Sequence, residues 1–352
     1  MKSIIIPYDK KQSFWNDAPI QTLFNSIMAS IPFLKKIEPD VLPTKPQMDP
    51  IYKEEYENAL YLEKTGKEHY SIKKLHPDSV LEYSDFIATY FYESSLKTQK
   101  KYELAFLSKM IETGSIYGAE IRFKEQLIGV ILAKNLGPIW LTASNPSRHS
   151  SCIVTELCVH PKYRKQGISN LLLRRLYQYS FQKQIAIHFF QIDSGKLFPS
   201  FPILNMYPVY GRKGASLRNN TEEWNIVKKP IDLKTLNNIR TSIYFKDKSA
   251  ITCLNKISDD IVFYDSSYAS VILRNLYELD ENGKEGAEVL YTQSHISDDP
   301  SYIEKLLDFL HYSWYESRTP FVSSQWERKG FTSTFAFHLN YGRPSFHGFH
   351  YF

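Results

Sequence analysis

Cys158-Val159-His160-Pro161-Lys162-Tyr163-Arg164-Lys165-Gln166-Gly167-Ile168-Ser169-Asn170-Leu171-Leu172 carries three kinds of local structure in one short stretch. From Cys152 to His160 the chain is apolar and β-branched and reads as a strand. Pro161 to Gly167 is a basic turn, and beyond it Leu172, Leu173, Leu176 and Tyr179 recur at helical spacing between Ser169 and Phe181. A strand that passes through a basic, glycine-containing loop into a helix suits phosphate. The first N–H groups of a helix have no intrahelical acceptor, its dipole is positive there, and Arg164 and Lys165 add charge. Gly167 lets the backbone approach a pyrophosphate closely, and Ser169 is small enough to leave room. An ordinary exposed turn would use the same residues; the strand before it and the leucine helix after it favour phosphate.

Working toward the N-terminus, Asp78–Tyr92 and Tyr102–Thr113 show helical apolar spacing, and Gly114 stands where the second helix would stop. At Tyr117 the period changes to two, and Lys124-Glu125-Gln126 turns the chain into Leu127–Lys134, a β-hairpin. Toward the C-terminus, Ile185–Ile192 reads as a strand and Asp193–Pro230, rich in Pro, Gly, Asn and aromatics, as a long loop. Tyr268–Leu279 and Gly286–Gln293 read as strands around the turn Asp280-Glu281-Asn282-Gly283. Pro300–Glu316 has the spacing of an amphipathic helix, and Phe331–Tyr341 reads as strand. Hairpin, helix and strand thus recur in each half, a repeat of architecture without residue-level periodicity.

The 352 residues are enough for two domains, and 43% hydrophobic with 15% aromatic residues supplies their cores. A net charge of +5 is too mild for a protein that coats nucleic acid, though it suits an anionic cofactor. The cysteines, Cys152, Cys158 and Cys253, have neither a CxxC pairing nor a histidine spacing that would build a metal site, which predicts no metal and a reducing compartment. No run reaches the eighteen apolar residues of a membrane span, and Met1–Trp15 lacks a signal-peptide core. A cytoplasmic protein is expected, the host cytoplasm if the Lys-, Tyr-, Phe- and Ile-rich composition is viral.

Arg164-Lys165-Gln166-Gly167-Ile168-Ser169 resembles the pyrophosphate signature of the GNAT acyltransferase superfamily, Gln or Arg, two residues, Gly, one residue, then Gly or Ala, with Ser169 departing at the last position. Several further stretches resemble the N-myristoyltransferase family within it. Phe14-Trp15-Asn16-Asp17-Ala18-Pro19-Ile20 is similar to that family's segment over the acyl-CoA, and also suits simple anchoring of an arm. Glu156-Leu157-Cys158-Val159-His160 is similar to the family's Phe-Leu-Cys-Val-His, with Glu156 in place of Phe. Phe198–Pro202 and Met206–Arg212 look like a loosened form of the stretch lining its peptide groove. The acidic loop of the family is missing: Phe91–Lys101 keeps Glu93 but carries Lys97, Lys100 and Lys101, so peptide choice does not transfer.

The resemblance implies an α/β (α+β) fold of tandem GNAT-like lobes, each a mixed central β-sheet flanked by helices. The arm would take residues 1–45, the acyl-CoA-binding lobe 46–215 and the peptide-side lobe 216–352. It implies myristoyl-CoA as co-substrate, a protein or peptide with an N-terminal glycine as acceptor, and neither nucleic acid nor stable membrane insertion; the protein is expected to be a monomer. By the same resemblance, Phe14, Trp15, Cys158, Val159 and Arg164, Lys165, Gln166, Gly167, Ile168 and Ser169 would bind acyl-CoA, and the backbone N–H groups of Glu156 and Leu157 would hold the thioester oxyanion. Tyr92 and Tyr207 would contact the acceptor, although Tyr207 equally suits an aromatic pinning a long loop. The base would be the carboxylate of Phe352, with His347 and His350 as alternatives and a packed final strand as the plainer use of that aromatic ending. Cys158 could be a nucleophile, but a buried strand thiol is the better reading. Two other functions stay open: a GNAT acetyltransferase acting on an amine or lysine, and an inactive acyl-CoA-binding relative.

Overall fold

Alternation from Ile116 onward folds as expected into a hairpin, and a single hydrogen-bonded sheet path grows outward from it. The computed structural model describes residues 70–91, 99–142, 145–183, 185–192, 203–215, 221–229, 231, 250–253, 260–296, 299–318, 325–337 and 348–350. Its elements are β1 (Tyr70–Lys74), α1 (Val80–Tyr90), β2 (Gln99–Lys100), α2 (Leu104–Glu112), β3 (Ile116–Phe123), β4 (Gln126–Thr142), β5 (Asn145–Val159), α3 (Ile168–Gln182), β6 (Ile185–Ile192), β7 (Ile203–Lys213), β8 (Val227–Lys229), β9 (Ala250–Cys253), β10 (Ile261–Asp265), β11 (Ala269–Leu279), β12 (Glu285–Ser294), α4 (Ser301–Phe309), β13 (Trp314–Ser317), β14 (Glu327–Phe337) and β15 (Gly348–His350). Among the described residues the main strand order is β1-β3-β4-β5-β6-β14-β7-β13-β12-β11-β10-β8. The fold is mixed α/β and two-lobed.

Helices cover the sheet because each carries an apolar stripe. In α1, Val80, Tyr83, Phe86 and Ile87 are buried at spacings of three and four, and they join Leu107 and Met110 of α2 in one core against Leu132 and Cys158. On the opposite face of the sheet, Ile168, Leu171, Leu172, Leu176 and Tyr179 of α3 pack on Ile121, Ile131, Val154 and Val159. Gly129 lets α3 lie this close, since a Cβ there would stand 2.9 Å from Ile121 Cγ2 and 3.0 Å from Leu172 Cδ1. In the second lobe α4 buries Ile303, Leu306 and Leu307 against Val271, Leu273 and Val289.

The architectural repeat has a residue-level form that the amino-acid pattern hides. β5 and β6 run parallel from Ser150/Ile185 to Val154/Phe190 and then part. Immediately afterwards β5 carries a bulge: Leu132 faces Glu156 and Ala133 faces Val154, so Thr155 is the extra residue. In the second lobe β12 and β13 are parallel from Gly286/Trp314 to Val289/Ser317. There Ile272 faces Tyr291 and Leu273 faces Val289, so Leu290 is the extra residue. Overlaying the two registers makes Lys134 equivalent to Arg274 and Glu156 to Tyr291. The lobes also trade strands: β7 follows β6 in sequence but pairs with β13 and β14, while β14 follows β13 and pairs with β6.

Two sequence expectations are corrected here. The stretch Asp193–Pro230 is not one long loop, because Ile203–Lys213 is a strand paired on both sides despite Pro208, which cannot donate to a ladder. Its partners lie about a hundred residues away, so no local pattern could announce the pairing. The helix expected over Pro300–Glu316 ends at Phe309, and Trp314–Ser317 instead forms β13, parallel to β12. His311 in a left-handed conformation (φ 62°) breaks the helical path between them.

Candidate active site

The bulge at Thr155 decides which way the following side chains point. Before it, Cys152 and Val154 belong to the core under α3; after it, Leu157 and Val159 do, while Cys158 joins the core under α1 and α2. An uninterrupted strand would keep 152, 154, 156 and 158 on one face. The extra residue inverts that parity and puts Glu156 on the α2 side. Because β6 has already parted from β5, the edge of β5 beyond Val154 lacks a ladder on that side among the described residues. His160 N–H donates to the Ile128 carbonyl at 2.9 Å, so alternation sends the N–H of Cys158 toward β4 and that of Leu157 toward the opening.

Beyond β5, a 3-10 turn at Pro161–Tyr163 leads into the loop before α3. Lys165 (φ 61°) and Gly167 (φ 78°) are left-handed on either side of Gln166, the kind of alternation that gathers amide groups into an anion-binding concavity. Lys165, Gln166 and Gly167 are exposed, and Ile168 is buried and anchors the start of α3. Arg164 fastens the loop: its guanidinium donates to the carbonyl of Val159 at 3.0 Å and to that of Tyr90, at the end of α1, at 2.8 Å. Gln166 Nε2 donates to the Lys162 carbonyl at 2.9 Å.

On the α2 side of β5 lies a cavity of about 240 Å³, where β4 and β5 face β11 and β12 of the other lobe. Glu156, 1% exposed, lines it and accepts a hydrogen bond through Oε1 from the Tyr102 hydroxyl. Lys100 Nζ stands 3.8 Å from the same oxygen and donates to the Leu276 carbonyl at 2.6 Å. Glu156 Oε2 is buried and has no hydrogen-bond partner among the described residues. Burial, then the charge of Glu156, raises the Tyr102 hydroxyl well above its ordinary pKa, so it stays a donor. Tyr277 stacks on both Tyr102 and Phe106 and holds α2 against the second lobe.

A buried ion chain crosses the far wall. Lys134 Nζ lies 2.7 Å from Asp260, Arg274 Nε 3.9 Å from Asp260, Arg274 Nη1 2.9 Å from Glu288, and Arg318 Nε 2.5 Å from Glu288. Burial alone would push the Glu288 carboxyl up, but Arg318 and Arg274 outweigh it and hold it below the usual range. The first link joins the two lobes, since Lys134 is on β4 and Asp260 precedes β10.

Of the residues singled out from sequence, the structure brings Glu156, Leu157, Cys158, Val159 and Arg164 to Ser169 together at one sheet edge and helix start. Phe14, Trp15, Tyr92 and Phe352 lie outside the described residues, as do His347 and the long arm. Tyr207 is placed only by its backbone, opposite Thr332 in β7. Burial pushes the Cys158 thiol up to about 12, and Cys152 likewise to about 12. A thiol so protonated is a poor nucleophile. We therefore expect both to resist a thiol reagent such as DTNB in the native protein and to react once it is denatured; peptide mapping that finds Cys158 labelled in the native state would contradict this.

Tyr102, Lys134, Asp260, Arg274 and Glu288 were not singled out from sequence. The available signal was a lone charge inside an apolar strand run, as in Val271-Ile272-Leu273-Arg274 or Ala287-Glu288-Val289.

Residues 81–195 match the family model described as the acetyltransferase (GNAT) family. No curated protein matches the sequence. Among solved structures, one of Saccharomyces cerevisiae N-myristoyltransferase with bound myristoyl-CoA is similar with a TM-score of 0.61 at 12% identity, over 94% of this chain and 88% of that one. A second structure of that yeast enzyme with myristoyl-CoA gives a TM-score of 0.55 at 11% identity, over 77% and 83% of the two chains. At such identities the likeness is one of fold. The first lobe thus contains a match to the GNAT family, set in a two-lobed α/β fold similar to that of N-myristoyltransferase.

Proposed function

We propose that this chain is an acyl-CoA-dependent N-acyltransferase that moves myristate from myristoyl-CoA to the N-terminal glycine amine of a protein or peptide. The observation that supports the reading is the opened edge of β5 after the Thr155 bulge, followed directly by the basic loop and the start of α3. In this reading the amides of Lys165 to Ser169 and the charge of Lys165 hold the pyrophosphate, and Arg164, whose own N–H donates to the Pro161 carbonyl, keeps the loop in shape. The thioester carbonyl lies along β5, where the backbone N–H of Leu157 receives the oxyanion, while that of Glu156, in phase with Cys158, turns toward β4. Donors fixed in a strand need no reorganisation as charge develops, an effect worth about 3 kcal/mol. The amine attacks the thioester directly, with no acyl-enzyme, in keeping with the buried, protonated Cys158. Phe14 and Trp15 would cover the acyl-CoA, and Tyr92 and Tyr207 would contact the acceptor.

A second reading, acetyl transfer to an amine or lysine, is favoured by the family model that matches residues 81–195. Mass spectrometry separates the two. Protein incubated with myristoyl-CoA and glycine-initiated peptides should add one myristoyl group to the peptide, with acetyl-CoA as a parallel donor. Transfer from acetyl-CoA alone would replace the first reading by the second, and myristoyl-CoA binding without transfer to any amine would remove both in favour of an inactive relative.

A further inference from the structure

Part of the interlobe cavity wall belongs to the first lobe by sequence but is held by the second. Lys100, Tyr102 and Phe106 line the cavity between β2 and α2. β2 is two residues long, and its described ladder runs to β11, with Lys100 opposite Glu278 and Gln99 opposite Leu279. The Lys101 N–H then donates to the Tyr277 carbonyl at 2.7 Å, and Lys100 Nζ to the Leu276 carbonyl at 2.6 Å. To reach this far, β11 leaves its own register. Asn275 faces Ala287 of β12 and the next matched pair is Leu279 with Glu285, so Leu276, Tyr277 and Glu278 stand against Gly286 alone. All three line the cavity.

At the centre of that excursion Tyr277 is left-handed, with φ 54°. The conformation crowds a Cβ against the following carbonyl, so an aromatic residue stays in it only where its surroundings hold it, and such residues gather at ligand clamps. Here the hold is visible on both sides of the residue. Asn275 Oδ1 accepts the Tyr277 N–H at 2.6 Å, and the ring stacks on Tyr102 and Phe106 with centroids 4.8 Å and 5.0 Å away. A second-lobe residue thus backs two first-lobe rings of the wall.

We propose that Tyr277 is a positioning residue for the acceptor: it fixes the Lys100–Phe106 wall, and with it the width of the passage to the thioester on β5. This rests on the acyltransferase reading above and adds the residue that shapes the acceptor side. The cavity adjoins the opened strand, since Thr155 and Glu156 line it. Tyr277 acts through Tyr102 and Phe106, and the pyrophosphate loop beyond Val159 is no part of its contacts. Its loss moves the wall without undocking α2, because Leu107 and Met110 stay buried against α1 and β4, and Ser84 Oγ still donates to the Tyr102 carbonyl at 3.1 Å. A small displacement is enough, since a misplacement of about 1 Å can cost on the order of 100-fold in rate.

Transfer from acyl-CoA to a glycine-initiated peptide by the full chain tests this, with acyl-CoA affinity from calorimetry and hydrogen exchange over Gln99–Phe106. Tyr277→Leu keeps an apolar side chain but loses the stacked rings. It is expected to raise the acceptor KM on the order of 10-fold, to leave kcat and the acyl-CoA Kd within about threefold, and to speed exchange at Lys101. Tyr277→Phe keeps the ring and should match wild type within about twofold in each measurement. Asn275→Ala leaves all three rings and removes the oxygen that holds the left-handed turn, so it should shift KM in the same direction by a smaller factor. Phe106→Leu combined with Tyr277→Leu should raise KM by less than the product of the two single effects. Strict additivity in that pair, an acceptor KM that Tyr277→Leu leaves unchanged, or an equal loss of acyl-CoA affinity would overturn the positioning role alone. A wild-type protein that transfers no acyl group to any amine would overturn the acyltransferase reading, and this role with it.

Discussion

Asp260→Ala is expected to destabilise the protein by about 3–5 kcal/mol, because it removes the carboxylate that neutralises Lys134 in a buried wall. Lys134 and Asp260 are 8% and 7% exposed and 2.7 Å apart, so neither can exchange its partner for bulk water. Arg274 suffers less, since Glu288 stays at 2.9 Å. The pair also links β4 to the residue before β10, so its loss should loosen one lobe from the other. Building an ion pair into a protein interior gains little over apolar packing, whereas breaking one leaves a stranded charge. The double variant Lys134→Met/Asp260→Leu should accordingly recover most of the stability that Asp260→Ala loses. Denaturant unfolding of the three proteins checks both halves, and a cost below about 1 kcal/mol for Asp260→Ala would mean that the wall is wet.

Deleting Thr155 should cost at least as much, roughly 3–5 kcal/mol, and should abolish any transfer activity. Without the extra residue β5 regains simple alternation, and one side of the former bulge must turn over. If the C-terminal part turns, Glu156 and Cys158 enter the apolar core under α3, where a carboxylate has no partner, and Leu157 and Val159 leave it. If the N-terminal part turns, Cys152 and Val154 leave that core instead. Thr155→Ala keeps the residue count and should stay within about 1 kcal/mol of wild type, since all it removes beyond a methyl is a long 3.4 Å contact from the hydroxyl to the Leu132 carbonyl. A soluble, cooperatively unfolding deletion variant with wild-type stability would show that the bulge does not set the facing of Glu156.

The sequence by itself determined the first lobe well, because its signals are local. The hairpin β3–β4 is written in alternation, α1, α2 and α3 in apolar spacing, and the loop at Arg164–Ser169 in a basic, glycine-containing step between strand and helix. In the second lobe the turn before β12 was equally legible, where Asp280 N–H donates to the Lys284 carbonyl at 2.9 Å and Gly283 takes a φ of 73°. Tertiary structure alone decided three things. It placed β7 and β14 in each other's lobes, since a ladder between strands some hundred residues apart leaves no local trace. It set the Thr155 bulge, which appears as a mismatch of register between two strands and as no residue type in either. It gathered Tyr102, Glu156, Lys134, Asp260 and Arg274 around one cavity, because charges far apart in the chain became neighbours when the sheet brought the two lobes face to face.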